Sequence, residues 1–291
     1  MLVDDYQQII AACFPDLAIE RCQPIAQGWD SMAVAVNCRL IFRFPKRREV
    51  EPQYTMEARL LPVLAGALPL PIPDVAFFWP GGAAYRGIFI GHRLIHGVQL
   101  AAAHLAPDRP DQIAAQLGHF LAALHRFPIQ RATQLGVPAN DQAGWRQRYQ
   151  DQFVQIQQQI LPLLAPPAQA RITREWQAFL ADHTRFPAAL IHQDLNGEHI
   201  LFDPARGAIS GIIDWGDTMI GDPAIDFVGL LANYGEDFTE QVLAHYHGEV
   251  NASFRARMRF YCRAMPLNTV LFGLATGQDE FISEGLKDLS K

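Results

Sequence analysis

Three side chains in this sequence form a group able to do chemistry together: Asp194, His199 and Asp214, all inside Ala188–Trp215, AALIHQDLNGEHILFDPARGAISGIIDW. The short apolar run Ala189-Leu190-Ile191 delivers His192-Gln193-Asp194 into a polar loop. His199-Ile200-Leu201-Phe202 and Ile209-Ser210-Gly211-Ile212-Ile213 then read as two hairpin arms, turned by Asp203-Pro204-Ala205-Arg206-Gly207. Pairing about that turn sets His199 opposite Ile213 or Asp214. Two cation ligands distant in sequence then meet at the hairpin's open end, with Asp194 just upstream. Such a rim can hold a divalent cation and orient a hydroxyl, which is what phosphoryl transfer asks of a protein. A transition metal held by His192, Asp194, His199 and Asp214 would instead serve a hydrolase.

The elements that position this group follow from periodicity. Val3–Phe14 has helical spacing of Val3, Tyr6, Ile9, Ile10 and Cys13. Cys22–Ala26, Met32–Asn37 and Leu40–Phe44 read as a three-stranded meander, its first turn being Gln27-Gly28-Trp29-Asp30-Ser31. Exposed N–H groups beside Gly28 could cradle phosphate, although one glycine is more often an ordinary turn. In the third strand, alternation puts Ile41 and Arg43 on one face, Phe42 and Phe44 on the other. A helix over Glu51–Leu64 carries Glu57 on the stripe of Leu60, Leu61 and Leu64, and Arg43 is a candidate cation for that carboxylate, although these two residues taken alone are more often unpaired, with Glu57 at the solvent edge of the stripe. Pro62 is expected to bend or end this helix.

Beyond the proline-rich connector Leu68–Asp74, strands are expected at Ala76–Trp79 and Tyr85–Ile90 around Gly81-Gly82. His92–Gly97 marks the change from β-rich to α-rich sequence. Helices follow at Ile113–Arg126, Trp145–Leu164 and Ala170–Phe186, with Pro166-Pro167 separating the last two. After the hairpin, Asp222 caps a helix with Pro223 in its first position and Ala224–Asn233 as its body. Phe238–Glu249, Ala256–Leu274 and Asp279–Leu289 complete the helical set. His192 and Asp226 read as structural, hydrogen-bonded near the loop. That strand-then-helix order disfavours the hydrolase.

Of the 291 residues, 49% are hydrophobic and 19% charged, an ordinary globular balance sufficient for one large domain or two lobes. The net charge of −6 argues against nucleic acid or an anionic membrane as partner. No apolar run approaches membrane-spanning length, and MLVDDYQQII lacks the basic flank of a signal peptide. Cys13, Cys22, Cys38 and Cys262 have no C-x-x-C spacing, which suits free thiols in a reducing compartment. The expectation is a soluble, cytoplasmic protein.

In kinases the catalytic loop runs H-x-D-x-x-x-x-N. Here His192, Asp194 and His199 keep that spacing with His in place of Asn, and Asp214 ends a following strand. The loop IHQDLNGEHILFD, with SGIIDWGDTMIGDPAIDF, IFRFPKRREV…MEARLLPVL and FYCRAMPLNTVLFGLATGQDEFISEGLKDL, resembles the aminoglycoside phosphotransferase family. His199 is similar to the branch of aminoglycoside 2''-phosphotransferases and macrolide phosphotransferases. The two central segments are the specific part of the resemblance, which touches most of the chain.

The resemblance implies an α+β, two-lobed, protein-kinase-like fold: a nucleotide-binding lobe at 1–92, a hinge at 93–97 and a helical lobe at 98–291. It implies Asp194 as the catalytic aspartate and His199 and Asp214 as ligands of Mg2+, or of Mn2+ given the softer imidazole. Gly28 and Ser31 would cover the nucleotide, ATP or GTP, whose base would meet the backbone of Arg93 and Ile95. Arg43 would replace the usual phosphate-binding lysine, with Glu57 as its partner; Arg keeps the charge but is bulkier and forked. The acceptor is expected to be a hydroxyl of an aminoglycoside-type antibiotic, with a macrolide or other small metabolite as the alternative. Asp217, Tyr234, Glu236 and Asp237 are the candidate acceptor contacts, and the protein is expected to act as a monomer. The two departures, Arg43 and His199, also admit a catalytically weak nucleotide-binding module.

Overall fold

The computed structural model describes residues 3–27, 31–101, 110–182 and 185–290. Gly28, one expected nucleotide contact, lies outside the described residues. An antiparallel sheet carries the N-terminal part: β1 (Cys22–Gln27), β2 (Ser31–Val36), β3 (Leu40–Pro45), β4 (Val75–Trp79) and β5 (Phe89–Arg93), in the order β1-β2-β3-β5-β4. Alternation along β3 splits its side chains as read from the sequence. Phe42 and Phe44 join Val34, Val36 and Phe89 in a cluster closed by Ile10 of helix α1 (Val3–Cys13). On the other face, Tyr54 of helix α2 (Glu51–Ala65) packs with Ile90. Register places Arg43 between Ala33 of β2 and Ile90 of β5, in the middle of the sheet.

The rest is mainly helical, with a second sheet formed by β6 (Val98–Gln99), β8 (Ile200–Asp203) and β9 (Ala208–Ile212). A two-stranded ladder pairs β7 (Ala189–Ile191) with β10 (Met219–Gly221). The helices are α3 (Pro110–His125), α4 (Ile129–Gln134), α5 (Gln142–Gln159), α6 (Pro166–Ala181), α7 (Val228–His245), α8 (Ala252–Thr276) and α9 (Asp279–Leu289). Their apolar stripes share one core, which also takes Leu60, Leu61 and Leu64 of α2 and the connector residues Leu68, Leu70 and Ile72. Helix α2 therefore belongs to both halves: Tyr54 packs on the sheet and its C-terminal leucines on the helices. Among the described residues no helix is long and apolar enough to cross a membrane, and all four cysteines are free thiols.

Several boundaries differ from the sequence expectation. Pro62 sits inside α2, which runs on to Ala65; the hydrogen bond it forfeits falls near the helix end, while Leu61 and Leu64 are fully buried beside it. The fifth strand begins at Phe89 and not Tyr85, because the Tyr85 carbonyl accepts from both Gly82 N–H and Trp79 Nε1–H, holding this stretch as a loop. Pro166-Pro167 opens α6 instead of preceding it, as proline's fixed φ suits a first turn. The two helices expected across 224–249 are a 3-10 turn, Pro223–Phe227, and α7, broken at Gly235 with φ 82°. Strands β6 and β10 and the short α4 escaped the sequence reading, being too short for a period to show.

Candidate active site

The hairpin fixes the first part of the geometry. Ile200 pairs with Ile212, so His199 stands opposite Ile213, whose N–H donates to the His199 carbonyl at 2.9 Å. Asp214 follows. Two non-glycine residues turn left-handed beside it, Gln193 at φ 73° and Asp214 at φ 65°, at a cost of roughly 1–2 kcal/mol each. These turns bring three side chains to one place. The Asp194 carbonyl accepts from His199 Nδ1–H at 2.7 Å. A carbonyl can only accept, so Nδ1 carries a proton, and Nε2 lies 3.5 Å from Asp214 Oδ2. The Asp194 carboxylate comes within 3.4 Å of the same ring and accepts from Asn196 Nδ2–H at 3.0 Å.

Buried groups hold the loop from below. Asp226, fully buried, accepts from the N–H of His192 (2.9 Å) and of Gln193 (2.7 Å) and from His125 Nε2 (3.0 Å). His192 in turn donates from Nε2 to the Ile213 carbonyl at 3.0 Å, tying the loop to the strand that ends in Asp214. Burial lowers the His192 pKa, as befits a neutral structural imidazole committed to the backbone. Close approach matters as well: a Cβ on Gly229 of α7 would fall 2.2 Å from the Leu195 carbonyl, so only glycine lets the helix support the loop there.

The sheet supplies the cation. Arg43 spans the two halves of the molecule, Nη1 donating to Glu57 Oε2 at 2.8 Å and Nη2 to Asp214 Oδ1 at 3.3 Å. Its guanidinium lies 5.2 Å from the Tyr54 ring centre, and Ser31 at the head of β2 lies beside the Tyr54 hydroxyl. Burial pushes Glu57 up to about 7, with Arg43 opposing and Asp214 and Asp217 adding to the rise. Arg93 ends β5, where its carbonyl accepts from His92 Nδ1–H at 2.9 Å. Leu94 N–H donates to the Arg39 carbonyl, while Ile95 makes no backbone pair among the described residues.

A hard divalent cation takes one or two protein carboxylates and completes its shell with phosphate and water oxygens. Asp214, half exposed, and Nε2 of His199 present such a partial set. Among the described residues no group of three or more His, Cys, Asp or Glu forms a full protein cage. The residues fit a shared nucleotide–metal site better than a four-ligand hydrolase centre.

Next to Asp194 a cavity of about 260 Å³ opens between α5, the start of α7 and α8. Its walls include Tyr149, Gln193, Asn196, Tyr261, Met265 and Asn268. None of the four candidate acceptor contacts lines it. Asp217 lies near Glu57, on the side of the sheet. Tyr234 packs on Phe238 and against Gly197; Glu236 is paired with Arg259 at 3.0 Å; Asp237 is exposed on α7. The wall of this cavity is built by α5 and α8, which approach only through tertiary packing. No spacing in the sequence announced Tyr149, Tyr261 or Asn268.

Comparison with known proteins identifies the family. The chain belongs to the phosphotransferase enzyme family, whose model matches residues 21–261. It is 31% identical to the protein in the GDP and kanamycin complex of APH(2")-IIIa, over 98% of this chain and 97% of that one, with a TM-score of 0.89. The protein YcbJ of Bacillus subtilis (strain 168) is 26% identical over 86% of this chain and 82% of its own length. Viomycin phosphotransferase of Streptomyces vinaceus is 26% identical over 62% of each. The molecule is thus a small-molecule phosphotransferase with a two-lobed, kinase-like fold.

Proposed function

We propose that the protein transfers the γ-phosphate of GTP or ATP, with Mg2+, to a hydroxyl of a small molecule seated against Asp194. The convergence of Asp194, His199 and Asp214 within 3.5 Å steps carries this reading. The GDP-bound relative at 31% identity supports a guanine nucleotide as donor. Asp214 and His199 Nε2 would hold the metal, which when bound neutralises phosphate charge and aligns the triphosphate. Arg43, oriented by Glu57, reaches the phosphates, and its fork lets it keep Glu57 while turning Nη2 from Asp214 to phosphate oxygen. Asp194 accepts the hydrogen bond of the acceptor hydroxyl and orients its oxygen toward phosphorus, with Asn196 and His199 fixing the carboxylate. The backbone of Arg93 and Ile95 would meet the base, with residues 93–97 as hinge between a lobe of 1–92 and one of 98–291. The free thiols suit a reducing cytoplasm, where we expect a monomer.

The test is transfer of labelled γ-phosphate from GTP and from ATP to an acceptor panel in Mg2+ and in excess chelator. Asp194→Asn is expected to lower kcat by about 10³-fold, within the 10²–10⁴ attributable to a positioned base. Turnover insensitive to Asp194→Asn or to chelation would overturn the proposal.

A further inference from the structure

The cavity beside Asp194 is uncharged where it is polar. Apart from Asp194, its described polar lining is amide and hydroxyl: Gln193, Asn196, Asn268, Thr269, Tyr149 and Tyr261. Ile225, Val228, Ala264 and Met265 make the apolar part. Three glutamates on the surrounding elements are engaged by arginines of α8, while Asp237 of α7 stands exposed and does not line the cavity. Arg255 holds Glu240 at 2.7 Å, Arg259 holds Glu236 at 3.0 Å and Arg263 holds Glu175 at 3.2 Å. Behind Tyr261, Arg257 holds Asp222 at 2.6 Å. Glu198, exposed on the catalytic loop, is not among the lining residues.

An ammonium group entering this cavity would give up water and meet one carboxylate, which the transfer itself requires. Burying a charge without its own partner is expensive. Hydroxyls donate and accept, and so do the amides and hydroxyls that face them. The volume, about 260 Å³, is just under the roughly 300–1,000 Å³ usual for small-molecule sites, and the open side leaves room for a ligand to extend beyond it.

One buried atom of a lining residue lacks a donor. Gln193 Oε1 is buried with no hydrogen-bond partner, on a residue held at φ 73° directly before Asp194. A buried acceptor left unpaired is unfavourable, so a turn of the Gln193 side chain that brings this oxygen to a ligand hydroxyl makes a bond that exists only with acceptor in place.

We propose that this cavity takes an uncharged, sugar-like polyhydroxyl acceptor with one apolar face, and that Gln193 accepts a hydrogen bond from one of its hydroxyls. The inference rests on the phosphotransferase reading above and names its acceptor class.

The experiment uses the full chain with GTP or ATP, Mg2+ and matched probes: methyl glucoside against methyl glucosaminide, and uncharged disaccharides, cyclitols and nucleosides against kanamycin. Two acceptor-independent measurements isolate the underlying reading. These are thermal stabilisation by Mg2+-nucleotide, and slow nucleotide hydrolysis that Asp194→Asn abolishes; if both fail, that reading falls and this inference with it. With both in place, an uncharged compound is expected to have a kcat/KM at least tenfold above its amine-bearing counterpart. Equal or better turnover of the amine-bearing probes overturns the inference, and so does an absence of turnover for every uncharged one. Gln193→Gly suits the positive φ and removes the side chain. Gln193→Leu keeps the bulk without the acceptor. Both are expected to raise acceptor KM three- to tenfold, about one hydrogen bond, with kcat within about twofold; an unchanged KM removes Gln193 from the account.

Discussion

Four of the six aspartates from 194 to 226 form two pairs with the same chemistry and opposite surroundings. Asp222 and Asp226 are fully buried and saturated. Asp222 caps the Pro223 turn and accepts from Arg257 at 2.6 Å and from the Tyr261 hydroxyl at 2.8 Å. Asp226 accepts three bonds from His125, His192 and Gln193. Asp194 and Asp214 are about half exposed (48% and 49%) and keep lone pairs toward the cleft. A carboxylate with every oxygen engaged is part of the fold. One held in place with oxygens to spare is available to cation and substrate. The pairs depend on each other, because the saturated one supports the loop and cavity wall that position the spare one.

The sharpest way to break this contrast is through stability. Asp222→Ala leaves the Arg257 guanidinium buried without its partner and should cost about 3–5 kcal/mol, read as a lower denaturant midpoint. Asp214→Ala should change stability by at most about 1 kcal/mol, since its pairings with Arg43 and His199 are exposed and screened. Equal losses would show that the division by burial does not describe the molecule.

His92 extends the contrast to a group that is buried and kept neutral. It is 6% exposed, and burial lowers its pKa from 6.5 to about 4. Protons therefore bind the unfolded chain first. The stability due to neutral His92 is present above pH 6.5 and is lost as pH falls from 6.5 toward 4, on the order of 2–3 kcal/mol across that window. Midpoints of His92→Gln should be flatter over that range than those of the unaltered chain.

Why some of this was legible in the sequence follows from distance along the chain. Asp194, His199 and Asp214 lie within one loop and hairpin, so a period of two and a five-residue turn suffice to bring them together. For Arg43 and Glu57, alternation and a helical stripe each fix a face but not that the two meet; the resemblance implied the pair, and the ion pair at 2.8 Å joins those faces. The contact of Arg43 with Asp214 crosses 171 positions, and only the packing of α2 into both cores produces it. The cavity wall was illegible for the same reason: α5 and α8 are amphipathic helices whose sequences give a buried face but not the neighbour it meets. Of the acidic residues around Gly235, Glu236 is matched by Arg259, 23 residues away, a partner that chain order does not reveal, while Asp237 stands exposed.

The cleft can be probed at its cation with a change that leaves charge intact. Arg43→Lys retains one positive charge but cannot bond Glu57 and a second oxygen through a planar fork. Loss of one charge-assisted bond should raise nucleotide KM about tenfold, with acceptor KM within about twofold. An equal rise in both would place Arg43 outside a role confined to the nucleotide.

The smallest effect discriminates most finely between the two kinds of aspartate. Burial raises the Asp194 pKa against the opposing pull of His199 and Asn196. A carboxyl whose folded-state pKa lies above its unfolded value favours folding only while protonated, and that contribution disappears as pH rises through the folded-state pKa. At neutral pH the chain is therefore folded in spite of the Asp194 charge. Asp194→Asn, which nearly abolishes turnover, should raise the melting temperature slightly at pH 7 to 8. That gain should shrink as pH falls into the acid range and Asp194 takes up its proton in the folded state. Asp226→Asn should lower the melting temperature at the same neutral pH, because it trades a three-bond acceptor for a group that also brings unmatched donors. Were Asp194→Asn destabilising at neutral pH, its carboxylate would belong with the saturated pair, as a support of the fold.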